Sequence, residues 1–191
     1  MAKLQKISKG EPDYLKQQKK VVMVKTIVLI TIALAVFLIG YWSTKTKANL
    51  LSVVAVLGLL PASKSMVSFI MYLRTPKYSE TIVDAAKTAC GEGPVLYNLY
   101  LTSYKQNFPL ICIAVRGNNL MGYTEFDTCD TDACEEHLKL ITSQNSFKNL
   151  NIKIFKNSEL KKFEDRLVQL QKADTGKRET ELLELMKDIS L

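Results

Sequence analysis

Two apolar runs, separated by only six polar residues, constrain this chain more than anything else in it. Residues 21–42 read VVMVKTIVLITIALAVFLIGYW, with Lys25 as the only charge. The second run, NLLSVVAVLGLLPASKSMVSFIMYL, occupies residues 49–73, and STKTKA joins the two. A helix rises about 1.5 Å per residue, so a hydrocarbon core near 30 Å takes about 20 apolar residues. Two runs of that length on so short a link predict a transmembrane helical hairpin. Lys25 lies one turn inside the first run, where its stem lets the ammonium reach the headgroups. Tyr41 and Trp42 close that run, as interfacial aromatics do. A cleaved signal peptide has a shorter apolar core and a small-residue site after it, and this run fits neither condition.

The second run carries Pro61 and Lys64. Lys64, a turn from the inner surface, is expected to snorkel, the alternative being that it faces a polar path or binds a lipid phosphate. The expected span is 48–67, bent at Pro61, with 65–73 turning out along the interface. Small residues that permit close helix approach recur as Gly58, Ala62, Ser52 and Ala55 on the second helix, and as Thr31 and Ala35 on the first.

The formal charge of +7 is unevenly placed. Residues 1–74 hold eleven Lys/Arg against Glu11 and Asp13, a net of +9, whereas 75–191 hold fifteen against seventeen acids. The excess therefore flanks the apolar runs and is missing from the folded part, which argues against a nucleic-acid partner. Lys3, Lys6, Lys9, Lys16, Lys19 and Lys20 precede the hairpin, Arg74 and Lys77 follow it, and Lys45 and Lys47 lie in its loop. The positive-inside rule then predicts a multi-pass protein of the cell membrane with both termini cytoplasmic. In that reducing compartment Cys90, Cys112, Cys129 and Cys134 are expected as free thiols.

The expected organisation is a basic juxtamembrane segment (1–20), the hairpin (21–73) and a cytoplasmic α+β domain (75–191). Within the domain, Ser79 is placed to cap a helix over 80–89. Strands are expected at 95–101, 108–116 and 120–126, linked as an antiparallel meander, with PLICIAV in the middle as the most buried strand. A helix over 132–144 follows, then a strand at 151–155 (NIKIF). Ser158 caps a helix over 159–172, and after Asp174-Thr175-Gly176 comes a last helix using Leu182, Leu185, Met186 and Ile189. The two C-terminal helices are expected to cover one face of the sheet.

This order of helix, meander, helix, strand and helix resembles the restriction-endonuclease-like core. Such nucleases carry an acid on the second strand and an acid-x-Lys pair on the third. Here FPLICIAVR has no acid and Glu125 has no Lys two residues later, so the resemblance implies the fold without that chemistry. The hairpin stretch from Gly40 to Met71 also resembles uncharacterised two-span membrane proteins of clostridia-type Gram-positive bacteria.

Other constellations have structural readings. Cys129-x4-Cys134-x2-His137, with Cys90 elsewhere, is the one candidate metal set, but tetrahedral zinc favours tighter cysteine pairs and the spacing here is irregular. No cofactor is expected. Asp174-Thr175-Gly176 matches the aspartic-protease tripeptide but joins two amphipathic helices, so it reads as a turn. A single histidine leaves no Ser–His–Asp set to argue for. The sequence thus predicts an integral membrane protein displaying a non-catalytic cytoplasmic α+β interaction domain. Its partners would be the lipid bilayer and a protein, or a second copy of itself. The alternative is a membrane-tethered enzyme, nuclease-like in a degenerate form or dependent on thiols or metal.

Overall fold

A computed structural model describes residues 7–46, 49–91, 93–147, 149–170 and 177–191. The chain divides into two compact units: Leu15–Thr75, and the segment ending at Tyr14 together with Pro76–Leu191.

The first unit is built from α1 (Tyr14–Thr44) and α2 (Leu50–Arg74). Asn49 starts α2 by accepting from Ser52 N with its side-chain oxygen, while its amide donates to Thr44 Oγ1 and Thr46 O, all at 2.8 Å. Three contacts fix the pairing. A Cβ on Gly58 would touch Ala33 Cβ at 3.8 Å, one on Gly40 would press on Leu51 Cβ at 2.6 Å, and Thr26 Oγ1 lies 2.8 Å from Ser65 Oγ. All three belong to one antiparallel register. On α1 the contact positions 26, 33 and 40 recur every seven residues. On α2 the buried Ala55, Ala62, Ser65 and Tyr72 follow the matching three-and-seven spacing of a left-handed coiled seam.

The seam differs from the sequence expectation in two respects. Thr31 and Ala35 are exposed, and Ala33 between them is buried. Residues two apart on a helix point away from one another, so a stripe through Ala33 excludes both neighbours. In addition, α2 runs unbroken through Pro61 to Arg74, with no separate interfacial piece. Pro61 is exposed, and the buried stripe continues past it to Tyr72.

The second unit is α+β. After α3 (Glu80–Cys90) come β1 (Val95–Thr102), β2 (Asn107–Arg116) and β3 (Asn119–Tyr123). They are followed by α4 (Thr131–Gln144), β4 (Asn151–Phe155), α5 (Leu160–Leu170) and α6 (Lys177–Ile189). The sheet has the order β1-β2-β3-β4: the first three strands form the antiparallel meander, and β4 lies parallel to β3 after the α4 crossover. The middle strand is buried on both faces. Leu110, Ile113 and Val115 pack with Leu138 of α4 and Leu182 and Met186 of α6, while Ile111, Cys112 and Ala114 pack with Val83 and Ala86 of α3 and Phe163 and Leu167 of α5. The two C-terminal helices therefore cover opposite faces rather than one.

Local chemistry moves several boundaries. β3 stops at Tyr123 instead of 126: the Thr124 N–H makes the last ladder bond, to Phe155 O at 2.9 Å, and its hydroxyl is drawn to Pro109 O at 2.7 Å. A short 3-10 turn, Asn157–Glu159, precedes α5. The predicted end of that helix at 172 and the Asp174-Thr175-Gly176 turn lie outside the described residues.

A sheet edge with free backbone groups invites pairing with another chain, and both edges here are occupied. On β1, Tyr97 N donates to Gly10 O at 2.7 Å, Leu191 N donates to Tyr100 O at 3.0 Å, and Tyr78 Oη donates to Leu99 O at 2.8 Å. Asn98, at φ +50, is skipped in the ladder and donates from its amide to Pro12 O. Asparagine is among the few side chains that tolerate this backbone region. At the opposite edge Glu135 accepts from Ile154 N at 3.0 Å and pairs with Lys153.

The arm along β1 is anchored by Lys9, whose ammonium donates to Lys187 O at 3.1 Å and Ser190 O at 2.9 Å. A cation there meets the negative end of the α6 dipole. Lys9→Met keeps the apolar stem and removes the charge. It should lower domain stability by about 1 kcal/mol, read as an earlier urea midpoint. An unchanged midpoint would mean that the contact contributes nothing.

Candidate functional site

The buried charges of the domain are the place to look for chemistry, and the structure engages each with the end of a backbone element. Arg116, the last residue of β2, is 4% exposed. Its guanidinium donates to Cys90 O at 3.0 Å and to Val115 O at 2.8 Å. It thus sits on the last carbonyl of α3, where a cation is favoured and the orphaned C=O is satisfied. Gly93 makes room for it, since a Cβ there would collide with the guanidinium. Among the described residues Arg116 has no carboxylate partner.

The acids act at the opposite kind of end. Glu125, two residues past the end of β3, accepts from Ser79 N at 2.9 Å. Ser79 does occupy the cap position of α3, but its hydroxyl lies 2.9 Å from Thr81 Oγ1 and caps nothing, so the carboxylate takes that role from 46 residues away. Glu135 holds the edge of β4. Glu179, in the first turn of α6, accepts from Gly117 N in the β2–β3 turn with Oε1, while its buried Oε2 has no partner among the described residues.

The sequence-predicted candidates separate. Cys129 and Cys134 lie close together in the core shared with α4 and α6, and burial pushes both thiols above their ordinary value. Cys90 belongs to the other core, across the sheet. Its partner is Cys112, whose thiol is held far above the ordinary value by their hydrogen bond and by burial. The His137 ring lies tilted at 35° to Phe108, centroids 5.7 Å apart, and its Nε2 is buried with no partner among the described residues. Burial holds its pKa below the ordinary histidine value. Among the described residues no group of three or more His, Cys, Asp or Glu side chains is placed to hold a metal.

The aromatic hydroxyls are likewise tied down. Tyr123 donates to Asn157 Oδ1 at 2.9 Å and stacks on Phe163 at 5.4 Å, and burial pushes its pKa up to about 12. Sequence reasoning missed Arg116, Glu125, Glu135 and Lys9 as working residues. The available signals were Arg116 closing an apolar strand beside a Gly-Asn-Asn turn and Glu135 standing one position from a buried cysteine on its helix.

The class defined by this geometry is an α+β domain preceded by two helices long and apolar enough to cross a membrane. No protein-family model matches the chain, and no curated protein or solved structure matches it either.

Two outcomes follow from these contacts. Arg116→Met should destabilise the domain by about 2 kcal/mol by leaving buried carbonyls unpaired, and Arg116→Lys should restore only part, since one ammonium cannot reproduce the fork. Urea titration of the two variants checks this. For His137, whose folded pKa is depressed, the unfolded chain takes up the proton first. Its contribution to stability is present above about pH 6.5 and is lost as pH falls through the folded pKa. His137→Gln should therefore flatten the decline in stability as pH falls below about 6.5, read as thermal midpoints.

Proposed function

We propose that this chain is an integral membrane protein that displays a non-catalytic α+β interaction domain at the cytoplasmic face. The two long helices support the membrane part, because only 11% and 17% of their most apolar stretches are buried. A core helix of a water-soluble protein would be mostly covered, whereas Val24, Ile27, Ile32, Leu34, Ile39, Val56, Leu57 and Leu60 stand open. Large open apolar surface on that scale belongs against lipid. The lysine distribution supports a cytoplasmic domain.

One observation carries the non-catalytic reading. Arg116, Glu125, Glu135 and Glu179 each bond the backbone of a helix, a turn or a sheet edge, so these side chains serve the fold, with only Glu179 Oε2 buried and without a partner among the described residues. A domain built this way offers surface, and its partner is a protein or a second copy of itself. The enzyme alternative rests on the nuclease-like element order and on Cys129 and Cys134, which share one core. Stoichiometric metal in the purified protein, or unusually fast alkylation of these thiols, would favour it.

Alkaline extraction should leave the protein in the membrane pellet. With a membrane-impermeant maleimide, K45C should label in intact cells and E181C only after permeabilisation. Release into the supernatant overturns the membrane assignment, and the reverse labelling pattern overturns the orientation. Cross-linking in membranes should give a discrete dimer or a reproducible heteromeric product, and a strictly monomeric protein that captures nothing overturns the interaction role.

A further inference from the structure

The hairpin register has a consequence for its two embedded lysines. Thr26 faces Ser65, Ala33 faces Gly58 and Gly40 faces Leu51, so α1 and α2 are related by a local two-fold axis perpendicular to both. Such an axis maps the residue before Thr26 onto the residue before Ser65 and keeps both on one face of the pair. Those residues are Lys25 and Lys64. At 1.5 Å per residue they differ in depth by about 3 Å. Both side chains are exposed, and neither ammonium has a partner among the described residues. No other charge occurs between them and the loop, since residues 26–44 and 50–63 are uncharged.

Depth follows from the same helix. Lys25 and Lys45 are separated by twenty positions, about 30 Å of helix, which matches the hydrocarbon thickness. With the loop at one headgroup layer, the lysine pair reaches the other. Two like charges side by side on one face repel unless an anion lies between them, and the phosphate layer supplies one. Phosphatidylcholine carries its own ammonium beside its phosphate and gains little there. A lipid with net negative charge matches a pair of lysines.

We propose that Lys25 and Lys64, brought to one face by the Thr26–Ser65 register, form a binding site for the headgroup phosphate of an anionic phospholipid. The site rests on the membrane reading and is independent of which side the domain faces. Between the lysines the hydroxyl pair is self-contained: Thr26 Oγ1 donates to Val22 O at 2.8 Å, which leaves Ser65 to donate to Thr26. The hydroxyls therefore fix the register, and the ammonium groups hold the phosphate.

The test is native mass spectrometry of the full chain, purified in detergent with equal amounts of phosphatidylglycerol and phosphatidylcholine. The wild type should retain phosphatidylglycerol several-fold more, K25Q/K64Q should lose that preference, and K25R/K64R should keep it, with helicity by circular dichroism unchanged in all three. Equal retention of the two lipids by the wild type overturns the proposal. So does an undiminished preference in K25Q/K64Q, or an equal loss in K19Q/K20Q, which would move the site to the juxtamembrane lysines. A protein found in membranes without lipid preference sinks this site alone, whereas a protein absent from membranes sinks the reading beneath it.

Discussion

A backbone N–H or C=O removed from water must find a partner, and this requirement organises both halves of the molecule. In the hairpin it is met by continuous helices, with Asn49 closing the tight connection through three hydrogen bonds. In the domain it is met by side chains recruited from far away in the chain. Lys9 and Arg116 sit on the carbonyl ends of α6 and α3, and Glu125, Glu135 and Glu179 sit on N–H groups at a helix start, a strand edge and a turn. Charge-assisted bonds of this kind are among the stronger ones a protein makes.

Packing in the hairpin follows a different rule. Small residues let the two helices approach closely, and van der Waals contact then holds them together. Gly40 and Gly58 provide that contact, the first beneath Leu51 and the second against Ala33. Thr26 and Ser65 add one hydrogen bond and forbid sliding, since a slip of a single residue would break it. Register here is a matter of a few small side chains.

Much of this architecture could be read from the sequence where the signal was local. NIKIF alternates cleanly, and β4 has the bounds that the alternation implied. PLICIAV is apolar on both faces and lies inside the sheet with cores on either side. Signals failed where the deciding partner is distant. Ser79 looked like a self-sufficient cap, but the carboxylate that serves α3 comes from Glu125. The third strand was read through Thr124 because nothing nearby shows that its hydroxyl is drawn to Pro109 O. Thr31 and Ala35 were chosen as small residues without knowledge of which face meets α2. Lys9 was counted as one of several topology-setting lysines, although its contacts lie 178 and 181 positions further on.

The arm that runs along β1 makes the domain discontinuous: its first piece precedes the hairpin and the remainder follows it. During synthesis both long helices therefore emerge before the sheet that receives Gly10 and Pro12 has been made. Lys9 waits longer still, because the carbonyls it binds come from the far end of α6. Closure of the domain waits on the whole chain, and the ribosome's order of events is thereby built into the fold.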